Sequence, residues 1–167
     1  MYNIGDSVVY PMHGAGIIEG IEQKEILGKQ QSYYIMRMPI GDMKVMIPLA
    51  SAAQIGIRDV IDSAAAERVL SAFRTVETDV IQNWNKRFRD NMEKIKSGNI
   101  LEVAAVVKSL MMRDRRKGLS TGERKMLSSA KQIMISEIVV ATGIHHEDIE
   151  NRLEQMVDEE LGEAKTE

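Results

Sequence analysis

Cysteine is absent from the 167 residues. That excludes a disulfide framework, a thiolate metal site and a cysteine nucleophile, and fits a reducing cytoplasm. Long apolar runs are absent as well: nothing approaches the roughly 18 residues of a membrane helix. Residues 1–6 offer neither a basic nor an apolar leader segment, so no signal peptide is expected. Histidine is scarce, with His13, His145 and His146. His13 lies in a glycine turn without an acidic or hydroxyl partner in a recognisable motif. His145 and His146 are adjacent, and adjacent residues of a helix do not share a face. A metal site is therefore not expected. There is no phosphate-binding glycine loop, no GxSxG and no HExxH. Without these, an enzyme, a cofactor and a small-molecule substrate are not expected.

Proline is also scarce, and its placement is informative. Pro11, Pro39 and Pro48 all precede residue 58, as do all four tyrosines and seven of the 12 glycines. The fold class expected is α+β in two domains: a small β-barrel of the SH3 or Tudor type over 1–60, then an all-α domain of about five helices over 61–162, with a frayed tail at 163–167. Strands are expected at 6–11, 17–25, 32–38 and 44–48, with 53–57 closing the sheet. Helix starts are read at Asp62 or Ser63, at Thr78, at Asn99 with Glu102, at Ser120 with Glu123, and near His146. Gly98, Gly118 and Gly143 mark ends.

The formal net charge of −3 hides segregation. Residues 84–131 carry 13 Lys/Arg against 5 Asp/Glu, whereas 132–167 carry 2 against 10. The middle block is a candidate polyanion surface. At its start stands the only tryptophan, in Asn83-Trp84-Asn85-Lys86-Arg87-Phe88-Arg89. Phosphates attract cations, and a flat ring can stack on a base or wedge between base steps. A helix over 78–98 would place Ile81, Trp84, Phe88, Met92 and Ile95 in one stripe. Trp84 would lie about 40° from the stripe's centre and Arg87 about 60° further round. That geometry predicts a half-exposed ring, with Lys86 and Arg89 in solvent. Residues 113–117 hold four cations, more than the negative end of one helix needs. Arg113, Arg116 and Lys117, with Arg124 and Lys125, would join the same patch if the helices pack as neighbours. Such cations position a backbone rather than read a sequence. The same pattern also fits a stand-alone nucleic-acid binder, or an adaptor whose basic patch meets an acidic protein.

Gly5-Asp6-Ser7-Val8-Val9-Tyr10-Pro11-Met12-His13-Gly14-Ala15-Gly16-Ile17-Ile18 resembles the opening of the CarD family of bacterial transcription regulators, nearest to its CdnL-like branch. The resemblance continues through Gly41-Asp42, Val45 to Pro48 and Gly56-Ile57-Arg58-Asp59-Val60. It resumes at Asn83-Trp84, at Ser97-Gly98, and from Arg113-Asp114 to Gly118-Leu119-Ser120-Thr121-Gly122-Glu123. Transcription-repair coupling factors carry a module like the first part; the two parts together are specific to the family. The resemblance implies a Tudor-like module on the RNA polymerase β subunit and a helical domain against promoter DNA at the upstream edge of the melted bubble. It places Trp84 as a minor-groove wedge, with Lys86, Arg87 and Arg89 on the backbone and no sequence-specific readout. Lys24 matches a polymerase-contacting position, and Met46 stands where relatives carry arginine.

Overall fold

The computed structural model describes residues 1–78 and 83–166, with side chains as far as 162. The first part is a five-stranded antiparallel sheet: β1 (Ser7–Tyr10), β2 (Gly14–Ile26), β3 (Lys29–Arg37), β4 (Lys44–Pro48) and β5 (Arg58–Asp59), in the order β4-β3-β2-β1-β5. β2 and β3 form a long hairpin. Leu27 and Gly28 at its turn have φ of 53° and 78°, the positive values that a two-residue I′ connection requires. β4 and β5 are the outer strands of the order and are not neighbours in it, so the sheet is open rather than the closed barrel expected. The reason is local. After a 3-10 turn (Leu49–Ser51), the stretch expected to close the sheet at 53–57 instead lies in a short helix, α1 (Ala52–Ile55), ended by Gly56 at φ 90°. Ala-Ala-Gln is weak strand material, and the left-handed glycine stops the helix. Only the two residues of β5 remain to pair with β1.

Five longer helices follow: α2 (Ser63–Phe73), α3 (Trp84–Lys96), α4 (Ile100–Arg116), α5 (Thr121–Thr142) and α6 (His146–Thr166). Their caps use the expected residues. Asp62 accepts from Ala65 N at 2.7 Å, Asn99 from Leu101 N at 2.9 Å, and Ser120 from Glu123 N at 3.2 Å. One start differs from expectation. Asn83, not Thr78, caps α3, accepting from Lys86 N at 3.0 Å. The stripe position at Ile81 lies outside the described residues. α6 runs past 162 to Thr166, and the side chains expected to fray at 163–167 lie outside the description.

The apolar stripes read from the sequence build the helical core. Val106, Val107 and Leu110 of α4, Met134 and Ile138 of α5, and Ile149, Leu153 and Val157 of α6 have no measurable exposure. Each large side chain of this kind contributes about 1.5–3 kcal/mol by leaving water. Lys108 is buried among them. Its ammonium donates to the carbonyls of Arg74 and Val76 at 3.0 and 2.9 Å, just past the end of α2, and lies 2.9 Å from Glu160 of α6. A second, smaller core lies on the sheet, around Val8, Ile18, Tyr34, Met36 and Ile47.

The two parts meet along α5. Ala15 N donates to Ser136 Oγ at 2.9 Å. A Cβ on Gly14, whose φ is 114°, would lie 2.5 Å from that oxygen, so only glycine permits this approach. Beside it, Arg58 of β5 donates to both carboxylate oxygens of Glu137 at 2.7 Å. It also donates to Gly98 O, beyond the end of α3, at 2.9 and 3.1 Å. Ile61 N adds a third donor to Glu137, which is 2% exposed. Removing one partner of a buried ion pair costs about 3–5 kcal/mol, less where the other partner reaches water, as Arg58 does. Glu137→Gln is expected to lower unfolding free energy by about 2–3 kcal/mol. Urea denaturation measures it, and a loss below about 0.5 kcal/mol would contradict this role for the pair.

Candidate nucleic-acid interface

α3 begins at the ring. Trp84 is its first residue and is 42% exposed. One turn later Arg87 is 5% exposed, and Asn91 and Ile95 continue the buried line. At 100° per residue, Trp84 points within about 20° of Asn91. The ring is therefore exposed because it stands at the end of the helix, not because it lies at the side of the stripe. The buried line itself is turned toward Arg87, while Phe88 and Met92 are only half-buried.

The indole is held on three sides. Its face stacks on Phe88, with centroids 4.9 Å apart and planes inclined by 19°. Its Nε1–H donates to Ser120 Oγ at 3.1 Å. Gly122 lies beneath, where a Cβ would be 3.5 Å from Phe88 Cε2 and 3.8 Å from Trp84 Cζ2. The starts of α3 and α5 thus converge on one ring, and both point the positive ends of their dipoles toward it.

Arg87 corrects the expected cation set. It is buried and donates to Glu123 of α5, Nε to Oε2 at 2.8 Å and Nη2 to Oε1 at 3.1 Å. It therefore cannot lie on a phosphate. Glu123, 2% exposed, forms only half of its expected capping box: its N–H meets Ser120, while its carboxylate turns to Arg87. The Arg87 hydrogen bonds hold its pKa below the ordinary carboxylate value against the opposing effect of burial; the charges of Arg87 and Arg113 and the Ser120 hydroxyl assist. Arg113 is half-buried, with its charge acting on this carboxylate rather than standing free in solvent.

The other cations are placed on the surface. Lys86 and Arg89 project from α3, Arg116 and Lys117 from the end of α4, and Arg124 and Lys125 from the first turn of α5. Arg124 is loosely paired with Asp114 at 3.4 Å. Six exposed cations thus lie on the opening turns of α3, at the end of α4 and at the start of α5, the elements that also carry Trp84 and Ser120. Arg115 is drawn away from it, to Glu154 and Asp158 of α6. The sequence marks Ser120 as a cap and Phe88 as a stripe residue, but not as partners of the ring. The signal for Phe88 is its i,i+4 spacing from Trp84; nothing local marks Ser120 as more than a cap.

On the sheet, Lys24 is exposed and Met46 half-buried. They share one face, through Gln31 opposite Lys24 and Ile35 opposite Met46. With Glu19, Glu22, Ile35 and Lys44 they line a shallow cleft of about 390 Å³. Lys44 pairs with Glu19 at 2.9 Å. His13 packs edge-on against Tyr10, and His145 caps α6 by accepting from Glu147 N at 3.3 Å. Among the described residues no helix is long and apolar enough to cross a membrane.

Comparison with known proteins finds two family models along the chain. Residues 2–61 match the CarD-like/TRCF RID domain, and residues 68–154 match the CarD C-terminal domain. The Bacillus subtilis (strain 168) protein named "Putative transcription factor YdeB" is 44% identical over 151 residues, covering 90% of this chain and 99% of the relative. Two solved N-terminal structures from Myxococcus xanthus are also similar. The 72-residue N-terminal domain of CarD is 32% identical over 35% of this chain and 79% of its own, with a TM-score of 0.32. CdnLNt is 38% identical over 36% and 86%, also at 0.32. Both modules, in this order, define a transcription factor. The chain belongs to the CarD family, in its CarD/CdnL grouping.

The depressed pKa of Glu123 fixes the sign of one pH effect. Its contribution is fully present above the unfolded value of about 4.3 and is lost as pH falls through the lower folded value. Glu123→Gln is expected to cost about 3 kcal/mol at pH 7 and to flatten the acid limb of a stability-versus-pH curve. Urea denaturation between pH 3 and 7 reads both effects. An unchanged acid limb would mean that Glu123 is not the titrating group.

Proposed function

We propose that this transcription factor docks on the β subunit of RNA polymerase through residues 1–60 and supports the open promoter complex through 61–162. Trp84 is the contact at the upstream edge of the bubble. The observation that carries the reading is the half-exposed ring at the meeting of two helix starts; exposed Lys86, Arg89, Arg116, Lys117, Arg124 and Lys125 on the same helices support it. An apolar wedge gains most where bases are already unstacked, because it then avoids part of the few kcal/mol that kinking intact duplex costs. The cations hold phosphates without reading bases.

The acidic remainder of the chain fits the same scheme. A net charge of −3 disfavours tight binding to free DNA. Tethering to polymerase supplies the local concentration that makes weak contacts sufficient. On the sheet, the cleft bearing Lys24 and Met46 is the surface offered to polymerase. Met46 makes that contact less ionic than an arginine there would. The family match over residues 2–61 supports this assignment. In the bacterial cell the protein would sit in the cytoplasm, on the nucleoid through polymerase. Neither a cofactor nor a catalytic step is part of this role.

Open-complex lifetime on a linear promoter fragment, after competitor challenge, tests the proposal. Trp84→Ala is expected to shorten it about tenfold, the equivalent of about 1.4 kcal/mol, with polymerase affinity unchanged. Lys86→Glu with Arg89→Glu should weaken the same complex and reduce its salt dependence. A Trp84→Ala protein with wild-type lifetimes would refute the DNA role.

A further inference from the structure

The Ser120 hydroxyl is fully occupied. It accepts from Glu123 N at 3.2 Å and from Trp84 Nε1 at 3.1 Å, and it donates to Glu123 Oε1 at 3.3 Å. A serine hydroxyl has one hydrogen and two acceptor positions, so each is assigned. The hydrogen is directed by Glu123, which stays ionised because Arg87 holds it. With its hydrogen committed to the carboxylate, the oxygen can only accept from the indole. A chain of hydrogen bonds therefore runs from a buried ion pair, Arg87–Glu123, through Ser120 to a surface ring. Such chains polarise one another and fix geometry more firmly than isolated bonds.

We infer that Ser120 is a positioning residue for Trp84, locking the indole in one orientation over Phe88 before any DNA arrives. The inference deepens the proposed DNA role for its functional consequence; the placement of the ring does not depend on that role. A free indole on a helix end samples several rotamers, and a ring that must enter a gap between bases loses that freedom on binding. Holding the ring in advance removes the loss. It also satisfies the one polar atom of the ring within the protein, so an inserted ring does not strand a buried N–H. Phe88 and Gly122 complete the cradle, one as a stacking face and the other by leaving the space beneath open.

Because Trp84 is the only tryptophan, fluorescence of the intact protein reports on it alone. Glycine serves almost as well as serine at a helix start, so Ser120→Gly removes the indole's acceptor with little loss of the cap. It is expected to red-shift the emission and lower its anisotropy, with the melting temperature nearly unchanged. In the polymerase–promoter complex, its open-complex lifetime should fall about threefold to tenfold, at unchanged polymerase affinity. Ser120→Thr keeps the hydroxyl and should restore both readouts. Phe88→Leu, which keeps apolar bulk but removes the stacking face, should lower the anisotropy independently. Wild-type emission and anisotropy in Ser120→Gly would overturn the inference, as would altered emission in Ser120→Thr equal to that in Ser120→Gly. Trp84→Ala is the control that separates the two ideas: if it leaves the lifetime unchanged, the DNA role fails, and the fluorescence still decides whether Ser120 holds the ring.

Discussion

Two carboxylates on α5, each sealed from water, hold the molecule together. Glu123 at its start grips Arg87 of α3, and Glu137 near its end grips Arg58 of the sheet. They are 14 positions apart, about 21 Å along a helix. One α-helix thus fixes the tryptophan-bearing helix at one end and the sheet near the other. Arg58 closes the frame a second time by holding the carbonyl of Gly98 just beyond α3. Buried charges of this kind are poor sources of net stability but costly to break singly. Here they set geometry: the cleft on the sheet and the exposed ring at the start of α3 are tied through one helix.

The charge segregation along the chain becomes intelligible in three dimensions. The acidic α6 does not face the basic block as a separate lobe but threads into it. Its glutamates and Asp158 take up Arg74, Lys108, Arg115 and Lys131. Lys86, Arg89, Arg116 and Lys117 stay exposed at the surface, with Arg124 only loosely paired. A narrower cationic patch suits a partner met only in a defined assembly, because a broad one would bind any duplex.

Much of this was legible in the sequence. The β-then-α order, four of the five strands, five long helices and the caps at Asp62, Asn99 and Ser120 follow from proline and glycine placement, alternating Val and Tyr, and the capping residues themselves. The closing strand expected at 53–57 was misread because so short a stretch carries too little pattern to separate a short helix from a strand. The exposure of Trp84 was anticipated for the wrong reason. A helix start at Thr78 would have put a turn of helix before the ring, whereas the start at Asn83 leaves it at the open end. The burial of Arg87 was not legible at all. A helical wheel counts arginine as solvent-facing, and the carboxylate that draws it inward lies 36 positions away, in a motif that already had a sufficient local explanation.

On the proposed function, the ring at position 84 meets promoter DNA only in the company of polymerase. A photoreactive phenylalanine analogue placed at position 84 measures this directly, by cross-linking in the presence and absence of polymerase. Cross-links to promoter DNA at the upstream edge of the bubble are expected, dependent on polymerase and lost on duplex alone. Cross-links confined to protein, or DNA cross-links of equal yield without polymerase, would contradict the proposal.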